Sequence, residues 1–245
     1  MTKWRYTKRL LCSLLLAMTN TAWAEDCVVL LQGLGSVPLA MKPLAFSLDV
    51  QPEYRVVNQG YNSYSNDLQA LALETLPAAI RACNMRDGEA IHFVTHSMGG
   101  IMLRAFLAKK ELQQLGRVVM IAPPNKGSEI VDWVERYALL KPFLGPAGGN
   151  LGTGEQHISA QLPAPEFVFG VIAGVRQSTS VWSSQLPGDD DGRVSTANTQ
   201  IEQMADYIEI PGSHSGLLYK KQTIEQVTSF LRYGEFLRRS EFEPL

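Results

Sequence analysis

Short apolar segments alternate with amphipathic segments along most of the chain. The apolar segments are of strand length and predict β-structure over 28–31, 54–58, 91–95, 118–122, 167–175 and 207–210. Helical spacing of apolar residues predicts helices over 67–83 and 101–110 and a closing helix that begins over 224–231, with Pro77 expected to kink or divide the first. Because the strand segments are apolar throughout, we expect an α/β fold, a mostly parallel sheet covered by helices on both faces.

One irregular insertion, about 125–165, separates two of the predicted strands. Within it Ile130, Trp133, Val134 and Tyr137 share one helical face, and five glycines between positions 145 and 154 predict a mobile loop. The apolar face is typical either of a helix packed on the core or of a lid over a binding site. We expect one domain over 25–245 that carries this insertion as a cap or lid.

The first 24 residues have the three parts of a secretory signal peptide. Four basic residues precede a short apolar run over 10–18, and the segment ends in Ala22-Trp23-Ala24, a small-x-small cleavage signature. The apolar run is far shorter than the roughly 20 residues of a membrane-spanning helix. We therefore expect cleavage after residue 24 and export to the periplasm or the medium.

Export changes the interpretation of the cysteines. Cys12 leaves with the signal peptide, so the mature chain keeps Cys27 and Cys83. In an oxidising compartment these two favour one disulfide, whose loop would contribute at most roughly 4 kcal/mol by chain entropy. Two unpaired buried thiols are the alternative, and two cysteines alone indicate no metal site.

The charge of the mature chain argues against nucleic-acid binding. Without residues 1–24 the chain has 18 basic and 24 acidic residues, a net charge of −6, and no basic stripe. Such a surface repels phosphates. We expect no nucleic-acid partner.

The strongest chemical signal is the segment Thr95-His96-Ser97-Met98-Gly99-Gly100, which lies between a predicted strand and a predicted helix. A serine nucleophile has to be exposed on a tight strand-to-helix turn, and such a turn needs small residues on both sides. Gly99 meets that need. Thr95 stands where glycine is usual, two residues before the serine, so the pattern alone is only moderately specific for a nucleophile. Its position between a predicted strand and a predicted helix makes it more specific.

A second signal follows the first predicted strand, at Gln32-Gly33-Leu34-Gly35. A glycine-flanked turn of this kind can direct a backbone N–H at a developing oxyanion, and the residue after the nucleophile supplies another. We therefore expect the N–H groups of Leu34 and Met98 to form an oxyanion hole. The turn also resembles the start of a dinucleotide fingerprint, but Pro38 stands where the third glycine belongs, so we discount that alternative.

His214 is the favoured base among four histidines. It lies just after the last predicted strand, at the sheet edge where catalytic groups gather in α/β proteins. His92 and His96 lie four residues apart on one strand, about 13 Å, which is too far to share a metal. His96 is expected to point away from Ser97, and His157, in the glycine-rich insertion, is expected to be solvated.

The acid is expected between Ser97 and His214 in the chain, within the acidic triplet 189–191. Asp191 is favoured because Gly192-Arg193-Val194 follows it, and Asp190 is the second choice. Asp206 begins a predicted strand and so lies at the wrong end of the sheet. The triplet lacks the ligand spacing of a calcium-binding EF-hand, and no metal is expected.

These segments, with His214-Ser215-Gly216-Leu217-Leu218, resemble in order and context the α/β-hydrolase lipases and esterases, and more narrowly the small bacterial triacylglycerol-lipase-like group. The resemblance spans roughly residues 27–233. It implies Ser97 as nucleophile, His214 as general base, Asp191 as its orienting partner, and a Leu34–Met98 oxyanion hole. The group usually has His-Gly where this chain has Gln32-Gly33, a departure that affects the fine geometry of the loop.

The resemblance also implies what the protein acts on. The expected substrate is a small-molecule or lipid ester, with Trp133 and Tyr137 as substrate-binding residues, transient contact with a lipid surface, no cofactor and no obligate protein partner. An acyltransferase or thioesterase would use the same site. A catalytically silent binding protein of the same fold is the alternative from another class, and the presence of Ser, Asp and His in order counts against it.

Overall fold

The sheet has six strands in the computed structural model, which describes residues 25–176 and 183–238. The predicted signal peptide, residues 1–24, lies outside the described residues. All six predicted strands are present, with ends shifted by a few residues: β1 Asp26–Leu31, β2 Tyr54–Gln59, β3 Ile91–His96, β4 Leu115–Ile121, β5 Phe169–Val175 and β6 Asp206–Pro211. The predicted fold class is confirmed.

The strands lie in the order β2-β1-β3-β4-β5-β6, and every neighbouring pair is parallel. The carboxyl ends of all six strands therefore meet at one edge of the sheet. In open α/β sheets this is the edge where ligands bind. The segments 32–36, 95–100, 189–194 and 211–216 all follow strands or lie at that edge, so the fold brings the predicted functional loops together.

Helices cover both faces of the sheet. Within the described residues they are α1 Lys42–Asp49, α2 Leu68–Ala82, α3 Met98–Leu107, α4 Glu129–Glu135, α5 Gly145–Gly148, α6 Ile158–Gln161, α7 Thr196–Thr199 and α8 Lys221–Tyr233. None of these helices is long and apolar enough to cross a membrane. The sequence pattern did not indicate α1, which follows a short 3-10 turn over Pro38–Met41.

Alternate strand residues supply two separate cores. Val29 and Leu31 pack in one cluster with residues of α2 and α3, whereas Val28 and Leu30 pack in another with residues of α1 and α8. Successive side chains of a strand point to opposite faces, so a sheet covered on both sides needs apolar residues at every position. This is the physical basis of the continuous apolar segments in the sequence.

Pro77 does not divide the helix that contains it. A single helix, α2, runs from Leu68 to Ala82, and its first turn is capped by Asp67, whose Oδ1 accepts a hydrogen bond of 2.9 Å from the backbone N–H of Ala70. Buried residues on both sides of the proline, Leu71 and Ala79 among them, pack against the sheet. This packing offsets the cost of the backbone hydrogen bond that proline cannot donate.

A disulfide joins β1 to the residue that follows α2. Cys27 and Cys83 are bonded, with their Cα atoms 5.7 Å apart and a sequence separation of 56. Both residues are fully buried in the core. The bridge thus ties the second strand of the sheet order to the helix that covers it.

The insertion is more ordered than expected. The expectation of a mobile loop over 145–154 is wrong: it contains the short helix α5, and Ala147 and Leu151 are buried in the core. Its glycines leave room for close packing. A Cβ on Gly148 would lie 2.7 Å from Cδ2 of Leu34, so the absent side chain lets the insertion pack directly against the loop after β1.

Candidate active site

Ser97 occupies a strained turn between β3 and α3. Its backbone has φ 53° and ψ −125°, a combination that a residue with a side chain rarely adopts. Two hydrogen bonds hold the turn: the N–H of Ser97 donates to the carbonyl of Ile121 at 2.9 Å, and its own carbonyl accepts from Gly100 at 3.0 Å. The strain places the serine side chain at the carboxyl edge of the sheet.

Two glycines leave room for this turn. A Cβ on Gly99 would lie 2.7 Å and 2.8 Å from the backbone oxygens of Gln32 and Leu31, so α3 approaches the end of β1 too closely for any side chain there. A Cβ on Gly100 would lie 3.1 Å from Oγ1 of Thr95. Gly100 therefore provides the space that Thr95 occupies, which explains how the turn accommodates threonine where glycine is usual.

His214 lies within hydrogen-bond distance of the serine. Its Nε2 is 2.8 Å from Oγ of Ser97, although the two residues are separated by 117 positions in the sequence. The loop after β6 carries the histidine to this place, and its N–H donates to the carbonyl of Asp191 at 2.9 Å. A base at this distance is able to take the hydroxyl proton.

Asp191 completes a chain of hydrogen bonds. Its Oδ2 is 2.7 Å from Nδ1 of His214, and its Oδ1 accepts from the N–H groups of Arg193 at 2.8 Å and Val194 at 2.9 Å. The side chain is buried. A Cβ on Gly174 would lie 2.8 Å from Cβ of Asp191, so a glycine in β5 makes room for the acid.

The other carboxylates considered from the sequence lie elsewhere. Asp190 accepts hydrogen bonds from Ser183 Oγ at 3.0 Å and from the N–H of Gly192 at 2.6 Å, so it shapes the loop. Asp189 is exposed. Asp206, at the start of β6, accepts from the N–H of Phe236 at 2.7 Å, at the opposite end of the sheet. Asp191 is the member of this group that meets His214.

His96 packs directly behind His214. Its Nε2 lies 3.1 Å from the carbonyl oxygen of His214, and the two ring centroids are 4.8 Å apart. Because a carbonyl only accepts, Nε2 carries the proton. Complete burial lowers the pKa of His96 to about 3, so the ring is neutral. Sequence reasoning did not find this contact, since adjacency to Ser97 says nothing about which backbone the ring touches.

The remaining histidines lie away from Ser97. His92 accepts a hydrogen bond at Nδ1 from the N–H of Arg117 at 2.8 Å, and its Nε2 lies 3.2 Å from Oδ2 of Asp26. The expectation that His157 is solvated is wrong: the residue is 6% exposed, because the insertion folds over it. Its Nδ1 lies 3.1 Å from the carbonyl oxygen of Gly149.

The loop that carries Leu34 is fixed by Gln32. Its side-chain Nε2 donates to the carbonyls of Ser36 at 2.7 Å and Tyr61 at 3.1 Å, and the hydroxyl of Tyr61 donates to the carbonyl of Gln32 at 2.5 Å. These bonds hold the loop in place although histidine is usual at position 32. The sequence pattern contained no sign of the part played by Tyr61.

This loop passes close to the serine. A Cβ on Gly33 would lie 3.0 Å from both Cβ of Ser97 and Nδ1 of His96. Leu34 follows Gly33, and Met98 is the first residue of α3, whose first-turn N–H groups lack partners within the helix. The predicted oxyanion donors therefore lie on the two segments that flank Ser97.

A cleft of about 520 Å³ opens above these residues. Ser97, His214 and the loop over 33–36 line one side of it, and the opposite side is apolar, formed by α4 and the segment after it. Trp133 lines the cleft. Tyr137, which is about half exposed, does not line the cleft but contacts Trp133, with ring centroids 4.8 Å apart and the ring planes tilted by 51°.

The apolar face of the insertion is both buried and part of the cleft lining. Ile130 and Val131 of α4 are buried and also line the cleft. Leu140 and Phe143 extend the same wall, and Phe143 is 74% exposed. A cleft of this size with an apolar wall and one polar corner is suited to a small amphipathic ligand.

No protein-family model and no curated protein matches the sequence. Several solved structures have a fold similar to that of this chain. The propeptide form of lipase BlEst2 from Bacillus licheniformis superposes with a TM-score of 0.66 at 17% identity, over 92% of this chain and 53% of that chain. This chain therefore spans about half the length of that protein.

Two further structures show the same architecture. The Pyrococcus furiosus esterase PF2001 has a TM-score of 0.59 at 17% identity, over 85% of this chain and 82% of its own. The metagenomic carboxyl esterase MGS0156 has a TM-score of 0.60 at 16% identity, over 78% of this chain and 65% of its own. At these identities the likeness concerns the fold alone, which this chain shares with the structures of that lipase and these two esterases.

Proposed function

We propose that this chain is a serine carboxylester hydrolase that acts on hydrophobic or lipid esters. The observation that carries the proposal is the hydrogen-bonded chain from Asp191 through His214 to Ser97, with distances of 2.7 Å and 2.8 Å, at the polar corner of the cleft. Nucleophile, base and orienting acid are the parts that acyl transfer needs. The lipases and esterases that share the fold support the same reaction class.

In the first step Oγ of Ser97 attacks the ester carbonyl while Nε2 of His214 takes the hydroxyl proton. Asp191 accepts a hydrogen bond from Nδ1–H of His214. This bond selects the required imidazole tautomer and stabilises the imidazolium ion. The N–H groups of Arg193 and Val194 donate to the other oxygen of Asp191 and hold the carboxylate in position. His214 then donates the proton to the leaving alcohol, and an acyl-enzyme remains.

Negative charge develops on the carbonyl oxygen in this step. We assign its stabilisation to the backbone N–H groups of Leu34 and Met98. One such donor is worth roughly 3 kcal/mol of transition-state stabilisation. Gln32 and Tyr61 hold the first donor in place before substrate arrives, so little reorganisation is needed during the reaction. Water then attacks the acyl-enzyme with His214 again as the base, and the acid leaves.

The cleft supports a hydrophobic acyl chain as the substrate's main binding group. The residues between positions 130 and 144 that line it are all apolar, and Trp133 has the largest side chain among them. Phe143 in this wall and Leu139 beside it are 74% and 88% exposed, which favours transient contact with a lipid surface. Tyr137 is assigned to positioning Trp133.

We assign the protein to a compartment outside the cytoplasm. The signal-peptide pattern of residues 1–24 carries this assignment, and the Cys27–Cys83 disulfide supports it, because disulfides persist in oxidising compartments. N-terminal sequencing of the exported protein is expected to begin at Glu25. An N-terminus that retains residues 1–24 would contradict cleavage.

The test of the proposed chemistry is labelling with a serine-directed phosphonate, read by intact mass. Wild-type mature protein is expected to gain one adduct, Ser97→Ala none, and His214→Ala one at a rate lower by orders of magnitude. Ser65→Ala, which removes an exposed hydroxyl that does not line the cleft, is the matched control and is expected to label like wild type. Absence of an adduct on folded wild type, with and without detergent, would reject the proposal.

Substrate class is tested with p-nitrophenyl esters of increasing chain length and with added alcohol. Hydrolysis that improves with chain length supports the hydrophobic-ester assignment. A preference for acetate would reject it. Transfer of the acyl group to the alcohol in preference to water would replace the hydrolase assignment with an acyltransferase.

A further inference from the structure

Three side chains of metal-ligating type converge behind the cleft wall. Asp132 and Glu135 lie one turn apart on α4, and His157 lies on the segment that precedes α6. The ligand atoms of the three residues all lie within 4.8 Å of one another. They belong to two segments separated by about twenty residues, so the fold, and not local sequence, brings them together.

The histidine is oriented as metal-ligating histidines are. Its Nδ1 lies 3.1 Å from the carbonyl oxygen of Gly149, and because a carbonyl only accepts, Nδ1 carries the proton. In the neutral ring this leaves the lone pair on Nε2, pointing at two carboxylates. Metal-bound histidines have this arrangement, in which the second ring nitrogen donates to a backbone carbonyl and fixes the tautomer. The side chain is more than nine-tenths buried.

The spacing of the facing atoms fits ligands of one ion. Nε2 of His157 and Oε2 of Glu135 are 3.5 Å apart, which is long for a hydrogen bond. Two ligands at the usual distances from a tetrahedral Zn²⁺ ion are separated by about 3.4 Å. The carboxylate of Asp132 is held by Thr153, whose N–H and hydroxyl donate to its two oxygens at 2.9 Å and 2.6 Å. A ligating carboxylate commonly has such supporting hydrogen bonds.

Gly152 keeps the space between the ligands open. A Cβ at this position would lie 2.4 Å from Nε2 of His157 and 2.5 Å from Oδ1 of Asp132. The φ angle of Gly152 is outside the left-handed region, so its backbone does not itself require glycine. The glycine is therefore explained by the space it leaves, which is the place where an ion would contact both residues.

We infer that Asp132, Glu135 and His157 form a binding site for a divalent transition-metal ion of the Zn²⁺ class. One imidazole and two carboxylates favour Zn²⁺ over Ca²⁺ or Mg²⁺, which prefer oxygen ligands alone. Glu135 is partly exposed, which gives water access to complete the coordination. The ion would pin α4, whose other face lines the cleft, to the segment over 149–157, and its role is structural.

The site is tested by zinc binding to untagged mature protein that has been stripped with a chelator. Calorimetry is expected to show one Zn²⁺ per chain, with Co²⁺ at the same site giving visible absorption. Glu135→Gln is expected to weaken binding at least tenfold, and Gly152→Ala to abolish it. Glu155→Gln, an exposed carboxylate of the same segment, is the matched control and should bind like wild type.

The melting temperature provides a second readout that does not depend on enzymatic activity. Zn²⁺ is expected to raise it equally in wild type and in Glu155→Gln, and to raise it less in Glu135→Gln at the same zinc concentration. Zinc uptake that is equal in wild type and Glu135→Gln would place the ion elsewhere, for example on His214, and overturn the proposal. Absence of saturable uptake, or uptake of Ca²⁺ but not Zn²⁺, would overturn it as well.

Discussion

The imidazole of His96 lies against that of His214, with ring centroids 4.8 Å apart, and its Nε2 donates to the carbonyl oxygen of His214 at 3.1 Å. One histidine of the pair is thus buried as a neutral support, and the other faces the serine. Because His96 donates to the backbone carbonyl of His214, it fixes the backbone position of His214. Both ring nitrogens of His214 remain available for Ser97 and Asp191.

This arrangement predicts a specific loss of stability in acid. The pKa of His96 is lowered by burial from 6.5 to about 3, so between these values the unfolded chain takes up a proton that the folded chain does not. Stability therefore falls as the pH drops below 6.5 and stops falling, for this group, near pH 3. Between pH 7 and pH 5 the loss is on the order of 2 kcal/mol.

The measurement compares wild type with His96→Gln by urea unfolding at pH 7 and pH 5. The variant is expected to be less stable at pH 7, because a buried ring is lost, yet to lose about 2 kcal/mol less on acidification. Equal losses in the two proteins would show that His96 does not carry this pH dependence.

Asp191 is predicted to be essential for activity and Asp189 dispensable. Asp191→Asn keeps an oxygen for the two backbone N–H donors but disturbs the tautomer of His214, so kcat is expected to fall by a factor on the order of 10⁴. Asp189→Asn changes an exposed side chain and should leave ester hydrolysis within about twofold of wild type. Steady-state kinetics on a chromogenic ester provides the comparison, and the reverse pattern would move the acid to another residue.

Thr95 and Gly100 are predicted to be energetically coupled. In Gly100→Ala the new methyl group meets Oγ1 of Thr95, and unfolding free energy is expected to fall by about 1–2 kcal/mol. In a Thr95→Ala background the same change should cost less than about 0.5 kcal/mol, since the methyl group then has space. A double-mutant cycle measures the coupling. Additive effects would mean that the two residues do not share this space.

Gly99→Ala is the contrasting case. Its Cβ would meet backbone oxygens of Gln32 and Leu31, which no side-chain replacement removes. The variant is expected to lose activity in every background, with loss of stability measured by the same method. Wild-type activity in Gly99→Ala would show that α3 and β1 are able to separate.

Trp133 is predicted to set the preference for acyl-chain length. Because its ring forms part of the cleft wall, Trp133→Ala is expected to raise KM for long-chain esters about tenfold and to change short-chain esters much less. Tyr137→Ala removes a ring that contacts Trp133 but does not line the cleft. It should raise KM for long-chain esters by a smaller factor. Equal effects at every chain length would remove Trp133 from the substrate-binding wall.

The sheet was predictable because its signal is local. Strands such as 91–95 consist of residues that are all buried, and a parallel sheet with two covered faces requires that pattern. The residues that meet at the site were predictable because each follows a strand, at the edge where the fold brings the loops together. The topology brings Ser97, Asp191 and His214 to one edge of the sheet, where His214 contacts the other two.

Other features depend on packing that no local pattern encodes. The glycines over 145–154 look like a flexible loop in sequence, but they allow the insertion to approach Leu34 closely. His157 is buried by that same packing, and Tyr61 reaches the carbonyl of Gln32 from 29 positions away. Such contacts depend on which surfaces pack together after the sheet has formed. They therefore cannot be predicted from the composition or the spacing of residues in the sequence.

The separation of 117 residues between Ser97 and His214 has a consequence for the life of the protein before it is folded. The histidine reaches the serine only when β6, the last strand of the described residues, has joined the sheet. Until then the chain has a serine without a base, and its hydroxyl is no more reactive than that of any other serine. Assembly of the sheet edge thus acts as the activation step.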